Sequence, residues 1–87
     1  MKFKKAVNHI ETLVDGEVVL MHLTSGKFFS LDNVSKRVWQ LLDQHREIDG
    51  LVAELCAEFD VTPEQCEADV AELLGVLANR DLLIYES

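Results

Sequence analysis

Apolar and polar positions alternate along the first third of the chain and recur at helical spacing along the rest. Glu11-Thr-Leu-Val14 and Glu17 to Leu23 are β-branched, apolar runs separated by Asp15-Gly16. That dipeptide readily supplies φ > 0 in a two-residue type I′ turn, so the pair predicts a tight hairpin. A second turn, Thr24-Ser25-Gly26, leads into Lys27-Phe-Phe-Ser-Leu31, another short strand. The expected unit is a three-stranded antiparallel β-meander whose last strand is an edge.

After Leu31 the period changes. Asp32 or Asn33 can cap a helix that carries Val34, Val38, Leu41 and Leu42 on one face and Trp39 on its flank, ending near Gln44. Asp49 is the expected cap of a second helix, where Leu51, Leu55 and Phe59 recur at four-residue spacing, joined by Val52 and Cys56. Thr62-Pro63-Glu64-Gln65 gives the sharpest local signal: a capping Thr, a Pro at the first helical position and a Gln at the third, as in a capping box. The third helix has Cys66, Val70, Leu73, Leu74 and Leu77 as its inner stripe, and Asn79-Arg80-Asp81 ends it. The apolar tail Leu82-Leu83-Ile84-Tyr85 is either a fourth strand or a segment packed onto the core. The order of elements predicts an α+β fold, a meander followed by three α-helices, like a winged helix-turn-helix with its wing placed first.

A chain of 87 residues makes one domain, residues 1–87, with a small core and little room for a deep catalytic cavity. Sixteen acidic residues against eight basic ones give a formal charge of −8, and four of the basic residues, Lys2, Lys4, Lys5 and Lys27, precede the helices. Such a field repels phosphate backbones and anionic headgroups, which points to peptide, basic or neutral partners and away from nucleic acid or membranes. The absence of a long apolar run and of a secretory signal at Met-Lys-Phe-Lys-Lys predicts a cytoplasmic location. In that reducing compartment Cys56 and Cys66, at apolar positions of separate helices, read as small buried hydrophobes.

Motifs that carry catalysis are missing. His9, His22 and His45 form no His-x-x-x-His pair, the cysteines form no Cys-x-x-Cys, and no metal site is expected; His22 reads as an outward-facing strand residue. Glu58, Glu64 and Glu67 surround the cysteines in sequence and would raise a thiol pKa, which disfavours a Cys nucleophile. There is no Gly-rich phosphate loop, His-Glu-x-x-His or Gly-x-Ser-x-Gly, so no enzyme activity and no cofactor is expected. A DNA-reading third helix would present Glu64, Glu67, Asp69 and Glu72 with Arg80 as its lone basic residue, the wrong sign for a phosphate backbone. An acyl or peptidyl carrier would need Asp-Ser-Leu, whereas Ser35 sits in Asp-Asn-Val-Ser-Lys.

The run Val18-Val-Leu-Met-His-Leu-Thr-Ser-Gly-Lys-Phe-Phe-Ser-Leu-Asp-Asn-Val-Ser-Lys-Arg-Val-Trp-Gln-Leu-Leu42 resembles the PqqD-like family, the RiPP recognition elements. Ile48 to Phe59 is similar to that family's second helix, and Glu67-Ala-Asp-Val with Leu73-Leu74, Leu77 and Leu82-Leu83 to its closing helix and apolar end. The chain lacks the initial Pro-Arg-Leu and the Arg-Gly before the second strand of PqqD proper. The resemblance therefore points to a separate recognition protein of a lasso-peptide or other radical-enzyme pathway.

The resemblance implies that the leader of a ribosomally made precursor adds as an antiparallel strand to the third strand, in the groove between it and the third helix. Lys27 to Leu31 suits this: it is short, lacks Pro and offers backbone groups at an edge. Alternation sets Phe29 and Leu31 toward the helices and Phe28 and Ser30 away, so Phe28 is either a contact for the leader or an ordinary surface aromatic. On the third helix, Asp69, Leu73, Val76 and Arg80 form a stripe at three- and four-residue spacing, with Asp69 placed for a basic leader residue and Leu73 for an apolar pocket. The opposite flank, with Glu67, Ala71 and Leu74, is the alternative. The expected partners are the leader peptide and a maturation enzyme, either a leader peptidase or a radical SAM enzyme, with the protein a monomer or a strand-paired homodimer. An acidic winged-helix regulator or protein adaptor is the competing reading.

Overall fold

In the computed structural model, which describes residues 2–86, Asp15 and Gly16 both take positive φ, 51° and 83°. They close the hairpin between β2 (His9–Val14) and β3 (Glu17–His22), as the dipeptide predicts. Gly26, at φ 73°, then turns the chain into β4 (Phe28–Leu31), the strand expected from Lys27 to Leu31. The sheet order is β2-β3-β4, antiparallel throughout, with Leu20 opposite Phe29 and Val18 opposite Leu31. Residues paired across strands share a face. Val18, Leu20, Phe29 and Leu31 accordingly face the helices, while Ile10, Val19, Met21, Phe28 and Ser30 lie on the other side.

Two further strands frame the helices. β1 (Lys2–Lys5) pairs antiparallel with β5 (Leu83–Glu86), setting Phe3 opposite Tyr85 and Lys5 opposite Leu83. The sequence reading missed β1 because Lys2-Phe-Lys-Lys5 holds a single apolar residue and gives no readable alternation. That residue, Phe3, is buried and meets the Tyr85 ring edge-on with centroids 5.0 Å apart. The tail after α3 is thus a strand, and the protein has a second, two-stranded sheet beside the expected meander.

The helices are α1 (Asn33–Leu41), α2 (Ile48–Glu58) and α3 (Pro63–Asn79). Asp32 caps α1 by accepting from the Ser35 amide at 2.8 Å, and the helix stops at Leu41 rather than near Gln44, its end tightening through Gln44 N–H to Leu41 C=O. Trp39, placed on the flank by periodicity, is instead buried. Its ring meets His9 edge-on, Lys5 lies 4.5 Å over it, and its indole N–H donates to Glu11 at 2.8 Å. Val34, assigned to the inner face, is 46% exposed. Asp49 does not cap α2; it lies in the first turn of a helix that starts after Glu47 without a side-chain cap.

Thr62 caps α3 as expected, accepting from the Gln65 amide at 3.3 Å, with Pro63 in the first turn. The Gln65 side chain turns forward to Asp69 at 2.9 Å instead of back to the cap, so the box is half formed. At the other end Asp81 adopts φ 60°, Leu82 N–H bonds to Leu77 C=O and Asp81 N–H to Ala78 C=O. This is a Schellman closure, and its apolar partners Leu77 and Leu82 are both fully buried.

One apolar cluster joins Leu20 and Leu31 of the meander, Val38, Leu41 and Leu42 around α1, Leu51 and Leu55 of α2, and Cys66, Val70, Leu74 and Leu77 of α3. Arg37 ties α1 to α2 through a two-pronged bond to Glu58, at 2.7 and 2.9 Å. That bond holds the Glu58 carboxyl below the usual carboxylate range. No helix among the described residues is long and apolar enough to cross a membrane.

Candidate peptide-binding groove

β4 pairs with β3 on one side, and among the described residues no strand pairs with the other. Beside that open side lies a groove of about 510 Å³. Phe29 of β4 and Asp32, Val34, Ser35 and Val38 of the α1 entry form one wall. Cys66, Asp69, Val70, Glu72, Leu73 and Val76 of α3 form the other, and Leu55, Phe59 and Val61 close it between. An edge with free backbone groups next to a mostly apolar trough is what strand addition requires: a ladder for the main chain and pockets for alternate side chains.

The sequence-derived residues divide into two sets. Phe29, Asp69, Leu73 and Val76 line the groove together, so the α3 flank chosen from spacing is the one turned toward β4. Leu31 is buried in the core and offers its backbone alone, while Phe28, 64% exposed, and Ser30 lie on the far face of the sheet. Ser30 there donates to Glu17 at 3.1 Å. Arg80 and Lys27 stand at one end. The Arg80 guanidinium sits 5.1 Å over the Phe29 ring, and Lys27 reaches Asp81.

Val34, Ser35, Phe59, Val61 and Glu72 line the groove but were not assigned to it from sequence. Val61 had a readable signal: it precedes the Thr62 cap and Cys66 stands four residues into the helix, the positions of a hydrophobic staple, and both side chains line the groove. Val34 was misread because its spacing fits the inner face of α1, yet the first turn of that helix projects beyond the core. Phe59, assigned to the stripe of α2, lies just past that helix, where the chain no longer follows its period.

Electrostatically the groove is anionic: Asp32, Asp69 and Glu72 line it, and no Lys or Arg does. The Ser35 amide holds the Asp32 carboxyl below its usual range, so it is charged at neutral pH. Burial pushes the Cys66 thiol up, and contact with Cys56 adds to the rise. The groove thus offers no thiolate nucleophile. Among the described residues no three His, Cys, Asp or Glu side chains gather as a metal site would need.

The chain matches the profile of coenzyme PQQ synthesis protein D (PqqD) over residues 17–83. The solved structure of TbiB1 in complex with the TbiA(beta) leader peptide is similar at 36% identity, over 97% of this chain and 98% of that one, with a TM-score of 0.84. Lasso peptide synthetase B1 complexed with the leader peptide has the same fold at 23% identity, over 98% of this chain and 100% of that one, with a TM-score of 0.83. No curated protein sequence matches. With 67 consecutive positions, 17 through 83, aligned to one family, the chain belongs to the PqqD family, the RiPP recognition elements.

Proposed function

We propose that this protein captures the leader segment of a ribosomally synthesised precursor and presents it, in the cytoplasm, to a separate maturation enzyme, a leader peptidase or a radical SAM enzyme. The observation that carries the reading is the open edge of β4 directly beside the groove walled by Phe29 and α3. The 36% identical TbiB1, whose structure holds a leader peptide, supports it.

The leader adds antiparallel to β4. Roughly four backbone hydrogen bonds at about 1 kcal/mol net each do not offset the ordering and association costs of a flexible peptide, so side chains must supply most of the affinity. Apolar leader residues fill the trough over Phe29, Leu73 and Val76, and a basic one meets Asp69. Side chains of the opposite parity emerge beside Phe28. The protein itself does no chemistry. It raises the effective concentration of the tethered core peptide at the enzyme. Duplex DNA is a poor complement, because α3 carries Glu64, Glu67, Asp69 and Glu72.

The test is calorimetric titration with the synthetic leader of the precursor encoded beside the gene, followed by backbone amide NMR. Micromolar or tighter affinity with shifts along Lys27 to Leu31 and Asp69 to Arg80 is expected. Absence of binding to that leader would sink the reading.

A further inference from the structure

The groove is electrically polar along its length. β4 and α3 run in opposite directions beside it: Lys27, ahead of β4, reaches the Asn79 carbonyl and Asp81 at the end of α3. Asp32, just past the end of β4, shares the groove with Asp69, in the first half of α3, and Glu72, at the middle of that helix. One end is therefore flanked, just outside the lining, by Lys27 and Arg80, with Asp81 offsetting one of the two charges. Toward the other lie Asp32 and Asp69, with Glu72 between. Asp69 already accepts from Gln65 and Asp32 from the Ser35 amide, but a carboxylate has about four lone-pair sites, and both retain capacity for a cation.

Charge order along the groove becomes charge order along the ligand. A strand added antiparallel to β4 enters past Asp32 and Asp69 and leaves past Lys27 and Arg80. Antiparallel addition continues the pairing of the whole meander and is the more stable ladder per residue. Backbone bonds alone read direction weakly, whereas like charges set against each other in the wrong orientation penalise it.

We propose that the groove selects leaders with a Lys or Arg on the N-terminal side of their groove-filling apolar residues and an Asp or Glu on the C-terminal side, so that charge fixes the direction and register of the added strand. This inference rests on the strand-addition reading above. It names the class of peptide that reading leaves open.

The probes are two synthetic leaders of the precursor encoded beside the gene, one natural and one with those flanking charges exchanged, titrated into the full chain at low and high salt. Exchange is expected to weaken binding about tenfold at low salt, from the combined loss of modest exposed pairs, with the difference shrinking as salt screens it. Asp69→Lys with Glu72→Lys, both at exposed positions, is expected to restore the exchanged leader and weaken the natural one. Binding of both leaders within twofold, or a precursor with no cation ahead of its apolar residues, overturns the charge order and leaves leader capture standing. Failure of the natural leader to bind overturns both.

Discussion

Lys27 and Asp81 join the two walls of the groove: the ammonium ahead of β4 lies 3.3 Å from the carboxylate just beyond α3 and donates to the Asn79 carbonyl at 3.3 Å. Both side chains are about half exposed, so the pair contributes at most about 1 kcal/mol to folding. Its larger effect is on charge, because Lys27 stands at the end where a strand added to β4 would leave the groove. Lys27→Met is expected to shift the thermal midpoint by no more than a few degrees and to weaken leader binding about threefold. A calorimetric comparison of the two proteins measures both quantities. Unchanged affinity would mean that Lys27 does not meet the leader.

Adjacent aromatics on β4 should behave oppositely. Phe29 packs against the core, and Phe29→Ala is expected to cost about 3 kcal/mol, a large share of the stability of so small a domain. Phe28 is mostly exposed, so Phe28→Ala is expected to leave stability within about 0.5 kcal/mol and, on the strand-addition proposal, to weaken leader binding. Urea denaturation and peptide titration of each variant separate the two effects. If Phe28→Ala binds as wild type, Phe28 is an ordinary surface aromatic.

The meander and all three helices were legible in sequence because each carries its own local signal. Asp15-Gly16 demands two positive φ values, alternation divides Phe28 from Phe29, and Thr62-Pro63 starts α3. Features that depend on distant partners were not legible. β1 exists because β5, some eighty residues away in sequence, supplies its ladder, and one buried Phe3 is too little pattern to read. Trp39 is buried because β2 and Lys5 fold over it, which no helical period can indicate. The groove was half legible. Spacing on α3 found Asp69, Leu73 and Val76, and the staple position marks Val61, but Phe59 and Val34 enter only once the helices have packed.

Asp32 couples acidity to the groove. Its carboxyl is held below its ordinary value of 3.8 mainly by the Ser35 amide, so the charged form is favoured in the folded state. A depressed folded pKa contributes stability that is present above 3.8 and lost as pH falls through the lower folded value. Asp32→Ala is expected to cost about 1 kcal/mol at pH 7, and Asp32→Asn less, since Asn also caps. The gap between wild type and Asp32→Asn should close as pH falls below 3.8 and through the lower folded value, as measured by urea midpoints along an acid series. A gap that persists at the acid end would place the stabilisation outside the carboxylate.

Asp81 offers the sharpest separation of folding from binding. It occupies the left-handed region at φ 60°, a conformation that costs a residue with a Cβ about 1 kcal/mol and a glycine almost nothing. Asp81→Gly removes that strain but adds freedom to the unfolded chain and deletes the carboxylate paired with Lys27. Glycine is the preferred residue at this position of a Schellman closure, and the lost pair is a half-exposed one, so the strain term wins. The expected result is a gain of about 0.5 kcal/mol in stability, together with leader binding equal to or tighter than wild type, because Lys27 is freed for an acidic residue of the leader. Combining the two substitutions discriminates further. On affinity the double variant should be no worse than Lys27→Met alone, because without Lys27 the Asp81 carboxylate has no cation to withhold from the leader.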